Sequence, residues 1–72
     1  MEYVQVMYAS TRPVYIDGAL NGDANDVLQI DSGTHKFDLG TPVDYYPASQ
    51  TVVIDGTTVF QPKRIVFTQR RG

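Results

Sequence analysis

Seven aspartates, a single histidine and an adjacent pair of tyrosines are the groups in this 72-residue chain with the most chemical reach. Two carboxylates held in a concave site can act as general acid and base. Most of these aspartates, however, stand in or beside Gly, Asn or Pro turns, where a carboxylate accepts hydrogen bonds from the turn backbone. Ser10, Ser32 and Ser49 lack the Gly-x-Ser-x-Gly setting of an activated nucleophile. With no cysteine, disulfides, thiolate metal sites and cysteine nucleophiles are excluded. No triad or paired-carboxylate spacing is present, so the expectation is a non-enzymatic chain with no catalytic residue and no cofactor.

Oxygen ligands gather once, between Asp17 and Asp26. As an EF-hand this segment fails: Ala19 takes the third ligand position, and Leu28 takes the twelfth, where a bidentate Glu is required. A solvated loop is the stronger reading, and no metal is expected. His35 alternates with Phe37 and Leu39 on an apolar face and has no second histidine to complete a metal site. It is expected to be a satisfied, half-buried core residue.

Nucleic-acid binding would use a basic stripe with aromatics, and Lys63, Arg64, Phe67, Arg70 and Arg71 are the one candidate. A net charge of −2 opposes polyanions, and alternation places Phe67 with Ile65 on the inner face, so no nucleic acid is expected. Tyr45 and Tyr46, beside Asp44 and flanked by Pro42 and Pro47, offer aromatic faces next to a carboxylate, which suits a protein partner or a sugar. Against that stands Tyr46 as an inward anchor covered by Tyr45, since one of two adjacent extended residues faces inward.

These groups must be positioned by strands. Val, Ile, Thr, Tyr and Phe make up 28 of the 72 residues, against one Glu, two Lys, three Leu and four Ala with which to build helices. A chain this short carries one core, and burial of only roughly 60% of its unfolded surface leaves it marginal. Tyr3 to Tyr8 alternates with Val4, Val6 and Tyr8 on one face. Pro13 opens a short strand ending at Asp17-Gly18, and Asn21-Gly22 offers a second turn. Val27 to Ile30 and Thr34 to Leu39 read as a hairpin about Asp31-Ser32-Gly33. A proline-bounded loop over Gly40 to Ser49 precedes a strand at Thr51 to Ile54. Asp55-Gly56 then turns the chain into Thr57 to Phe60, and a final strand covers Arg64 to Thr68. Gln69 to Gly72 is expected to fray. The expected core is Val14, Ile16, Leu28, Ile30, Phe37, Leu39, Val52, Ile54 and Phe67.

Val14-Tyr15-Ile16-Asp17-Gly18 has an echo in Val52-Val53-Ile54-Asp55-Gly56, the product of a strand running into a Gly turn twice over. With Gly22, an apolar strand, Gly33-Thr34-His35-Lys36-Phe37 and Tyr46-Pro47-Ala48, this order of features resembles the PEGA domain family over roughly Val6 to Phe67. The chain differs from the family pattern at Thr11-Arg12-Pro13, Asp23-Ala24-Asn25 and Asp44-Tyr45. The resemblance implies a small β-sandwich, carried as an appendage on larger proteins, often at the cell envelope, with no catalytic residues to carry over.

The expectation is therefore an all-β, Ig-like or PEGA-like antiparallel sandwich of about six or seven short strands over residues 1–72, serving as a protein–protein interaction or assembly module. Carbohydrate binding at Tyr45-Tyr46 is the alternative. Tyr3 to Tyr8 contains no charge and no proline, so Tyr3 and Gln5 mark a strand either covered by the Arg64 to Thr68 strand or free to pair with another chain. Met1 to Ala9 lacks the basic start of a signal peptide, and nothing approaches the roughly 18 to 20 apolar residues that span a bilayer. A complete chain would be cytoplasmic and an excised one would belong to the envelope or exterior, and no membrane insertion is expected.

Overall fold

The computed structural model describes residues 1–70, and these form an all-β sandwich. Nine short strands are present among the described residues: β1 (Glu2–Met7), β2 (Pro13–Ile16), β3 (Ala19–Asp23), β4 (Val27–Ile30), β5 (Gly33–Asp38), β6 (Tyr45–Tyr46), β7 (Gln50–Ile54), β8 (Lys63–Val66) and β9 (Thr68–Gln69). One sheet has the order β4-β1-β8, a second has β3-β2-β5-β7, and β6 pairs with β9 in a small third ladder. Among the described residues no helix is long and apolar enough to cross a membrane.

Period-two alternation builds the core, because alternate side chains of a strand leave opposite faces of its sheet. Val4 and Val6 of β1, Leu28 and Ile30 of β4, and Ile65 of β8 point from one sheet toward Val14, Ile16, Phe37 and Ile54 of the other. Leu39, Tyr45, Phe67 and Ala24 close the ends of this layer. Of the expected core only Val52 falls outside the buried cluster, packed on its margin.

The antiparallel expectation holds for every ladder but one, since β1 and β8 pair parallel with Val4 opposite Lys63 and Val6 opposite Ile65. Two more strands exist than the upper count from sequence. β3 is one of them: Asp17-Gly18 forms a two-residue hairpin turn with φ of 54° and 83°, the doubly positive geometry whose twist matches paired strands. Half of the segment read as an oxygen-rich loop, Asp17 to Asp26, is consequently strand. Asn21-Gly22 lies within β3 rather than in a turn, with Gly22 opposite Val14 beside a bulge and Leu28 packed over it.

Two further expectations are corrected. Val27–Ile30 and Gly33–Asp38 do not form a hairpin; β4 pairs with β1, and β5 with β2 and β7. A hairpin would leave Leu28, Ile30 and Phe37 side by side on one sheet, whereas the observed arch sets them facing one another across the core. Thr57 to Phe60 is not a strand. Thr57 is drawn to β1 instead, where its backbone NH and hydroxyl both donate to Glu2 Oε1 and its Oγ1 accepts from Tyr3 N at 2.7 Å. At the C-terminus Thr68–Gln69 is strand β9 rather than frayed chain, while Arg71 and Gly72 lie outside the described residues.

Gly40 is the glycine whose replacement should hurt most. Its φ is +72°, and a Cβ there would stand 2.6 Å from Cε1 of the Tyr15 ring. Gly40→Ala combines backbone strain with overpacking and is expected to cost about 1–3 kcal/mol. Gly33→Ala strains the backbone too but meets nothing within 4 Å, so urea unfolding should place it closer to the parent.

Candidate interaction surface

Tyr45 and Tyr46 take opposite roles, and in the reverse sense to the inward Tyr46 considered from sequence. Tyr45 is 2% exposed and Tyr46 68% exposed. Short β6 pairs Tyr45 with Gln69 and Tyr46 with Thr68, and that ladder turns the Tyr45 ring inward onto Phe67, edge to face at 5.5 Å, and near Tyr8 at 6.3 Å. Its hydroxyl donates to Gly40 O at 2.8 Å and accepts from Leu39 N at 3.1 Å. Tyr45 is thus a core residue, and of the proposed tyrosine pair Tyr46 alone can meet a ligand.

Arg12 organises the Leu39 to Asp44 segment that leads into β6, a role not legible in the sequence. Its guanidinium bonds the Asp44 carboxylate, donates to Pro42 O at 2.8 Å and Leu39 O at 3.3 Å, and lies 5.0 Å from the Tyr45 ring centre. The contacts span about thirty residues of separation, and Thr11-Arg12-Pro13 carries no local signal for them. Asp44 is accordingly a structural ion-pair partner whose carboxylate stays largely exposed.

Tyr3 and Gln5 do not lie on a free edge. β1 is the middle strand of its sheet, with β4 on one side and β8 on the other, so the covering strand proves to be β8. The Gln5 side chain is engaged as well: its Nε2 donates to Asn25 O at 2.8 Å, and its Oε1 accepts from Arg64 Nε at 3.4 Å. The sequence left this open between a covering Arg64 to Thr68 strand and a free edge, because the parallel partner lies at the other end of the chain.

Among the described residues, the edges of the two larger sheets are β4 and β8 in one and β3 and β7 in the other. Three of them are guarded in ways that discourage strand addition. β8 carries Lys63 and Arg64, β3 carries Asp23 and pairs through a bulge, and four-residue β4 lies between Asp26 and Asp31. β7 reads Gln-Thr-Val-Val-Ile, with no charge, no proline and no bulge in its pairing with β5. Thr51 and Val53 face outward, and Val53 is 67% exposed. Beyond β7 the chain passes Thr58 to Gln61, whose reciprocal backbone bonds present Phe60 at 90% exposure.

His35 lies on β5, directly across from Val52 of this edge strand. Its Nδ1 is 2.6 Å from Asp17 Oδ2 and its Nε2 2.7 Å from Asp31 O. Both neighbours can only accept, so the doubly protonated ring satisfies both contacts and a neutral ring leaves one without a proton. Hydrogen bonding to Asp17, then to Asp31, raises the His35 pKa above its ordinary value. The bond from His35, then that from Lys36 N, lowers the Asp17 carboxyl. Asp17 also tethers Lys36 N at 2.9 Å, so the Asp-Gly turn of β2 and β3 is tied to β5 by one carboxylate. The ring borders a shallow cleft of about 320 Å³ shared with Asn21, Gln29 and Met1. Among the described residues no group of three or more His, Asp or Glu side chains is arranged to hold a metal ion.

The pH dependence follows from these directions. A raised His35 pKa stabilises the fold fully below the free value of about 6.5, and that contribution is lost as pH rises through the folded value. A lowered Asp17 pKa contributes above about 3.9 and is lost as pH falls through its folded value. The contact is therefore complete between roughly pH 4 and 6.5. Urea unfolding at about pH 5.5 and about pH 8.5 should show the parent losing more stability on the alkaline side than His35→Gln does. Equal losses would contradict the charged contact.

Comparison with known proteins adds no identity: no protein-family model matches the chain, and neither the curated proteins nor the solved structures give a match. Of the residues considered for nucleic acid, Phe67 is buried, Arg64 lies against Gln5, Arg70 N donates to Asp44 O at 2.9 Å, and Arg71 is outside the described residues.

Proposed function

We propose that this chain is a non-enzymatic interaction module that makes protein–protein contacts by adding a strand to β7. The observation that carries the proposal is an uncharged, proline-free edge strand of five residues, four of them β-branched, with Val53 standing 67% exposed. An unpaired strand offers a row of NH and C=O groups to an extended segment, which gains main-chain hydrogen bonds from the edge and selectivity from alternate side chains. Phe60 and Val59, in the segment between β7 and β8, are exposed apolar residues as well. The resemblance to PEGA domains belongs to the same proposal, supported by Asp17-Gly18 closing the β2 to β3 turn and by Gly33 opening β5.

Carbohydrate binding is the second reading, favoured by one observation: the Tyr46 ring is exposed beside Asp44, on a loop that Arg12 holds in place. A glycan array separates the two. Binding that disappears in Tyr46→Ala supports the sugar, and its absence from all glycans removes that reading.

The protein reading is tested by placing a photo-reactive phenylalanine analogue at position 53, and at position 20 on β3 as a control, in the full chain inside the cells that make it. Adducts with another polypeptide at position 53 and none at position 20 are the expected result. Equal adducts at both positions, or none at 53, overturn it.

A further inference from the structure

Resting on β7 as the contact edge, we infer that its occupant is a second copy of this chain, paired antiparallel about a two-fold axis through Val52. Such a contact is isologous, since the same strand supplies both halves. It sets Gln50 opposite the second copy's Ile54 and Thr51 opposite the second copy's Val53, and brings Val52 onto its own counterpart. Two four-stranded sheets become one of eight strands, in which both copies of β7 are central.

The side chains suit this register. On the outer face the pairs are Thr with Val, β-branched residues that pack well across strands. On the inner face the two Val52 side chains, each only partly buried in a single chain, cover one another. The charge pattern separates β7 from the other edges. One residue beyond the strand at each end, Ser49 meets the second copy's Asp55, so no like charges stand opposite. The same operation on β4 sets Asp26 against the second copy's Asp31 at both ends, and on β8 it crowds Lys63 and Arg64 of two copies into one four-residue ladder. Like charges directly across a ladder are destabilising.

A five-residue ladder is a small contact, in the class of weak interfaces below about 1,200 Å². Sedimentation velocity of the 8.0 kDa chain from about 10 µM to about 1 mM should show a mass rising with concentration toward twice the monomer value. Val53→Lys, at an exposed position, should weaken the association at least about tenfold, as a charged edge residue opposes pairing. Leu20→Lys on β3, equally exposed, should leave it unchanged, and Thr51→Lys serves as a second β7 variant should the first lose its circular dichroism. A chain that stays monomeric throughout, or a dimer that persists in a folded β7 variant, overturns self-pairing. Photo-adducts at position 53 then discriminate further. Adducts of another mass leave the contact edge standing, and a lack of any adduct removes the edge and the second copy together.

Discussion

Phe37→Ala is expected to bring the domain to the verge of unfolding at room temperature. The ring is fully buried on β5 between the two sheets, beside His35 and in the same cluster as Val4, Val6, Val14 and Ile54. Removing a buried phenylalanine ring costs about 3–5 kcal/mol through lost transfer energy and the cavity left behind. Small domains hold a total stability near the low end of about 5–15 kcal/mol, so that loss consumes most of it. Urea melts should show the midpoint collapsing toward zero denaturant. An unchanged midpoint would mean that the register of β5 against β2 and β7 is wrong.

The second large effect divides two neighbours. Tyr45→Ala removes a buried ring and should cost about 3–5 kcal/mol, close to the effect at Phe37. Tyr45→Phe keeps the ring but deprives Leu39 N of its acceptor and Gly40 O of its donor, and an unsatisfied buried partner costs about 1–3 kcal/mol. Tyr46→Ala, one residue along, should fall within about 0.5 kcal/mol of the parent, as exposed positions do. Thermal melts of the three variants check the order. A Tyr46 effect as large as that of Tyr45 would reverse the inward and outward assignment of β6.

What was legible in the sequence was what short-range chemistry sets. The alternation in Val4, Val6 and in Leu28, Ile30 gave inward faces, Asp17-Gly18 gave a turn though not the strand that follows it, and the shortage of helix formers gave the all-β class. Which strands become neighbours depends on contacts far apart in the chain. The parallel pairing of β1 with β8 is one such contact, and it decides that Tyr3 and Gln5, covered or free as far as the sequence goes, lie at the centre of a sheet. The arch between β4 and β5 is another, because Asp31-Ser32-Gly33 looks the same whether the strands around it share a sheet or face each other.

The site was readable to a similar degree. The uncharged run Tyr3 to Tyr8 was readable as either covered by the Arg64 to Thr68 strand or open to another chain; topology selects the first, and leaves the equally uncharged Gln50 to Ile54 at an edge. Tyr45 and Tyr46 could be recognised as one inward and one outward residue, but period two does not say which. The answer comes from pairing with Thr68 and Gln69 and from the polar groups of Leu39 and Gly40 that await a hydroxyl. The Arg12 contacts had no local signature at all.

Residue-resolved amide hydrogen exchange, compared between about 20 µM and about 1 mM protein, tests most directly whether β7 takes another chain. Amides on the open side of an edge strand exchange quickly, and pairing protects them. The expected result is protection that grows with concentration across Gln50 to Ile54 and stays flat on β3, β4 and β8. Protection on β7 that ignores concentration, or that grows instead on β3, β4 or β8, would contradict it.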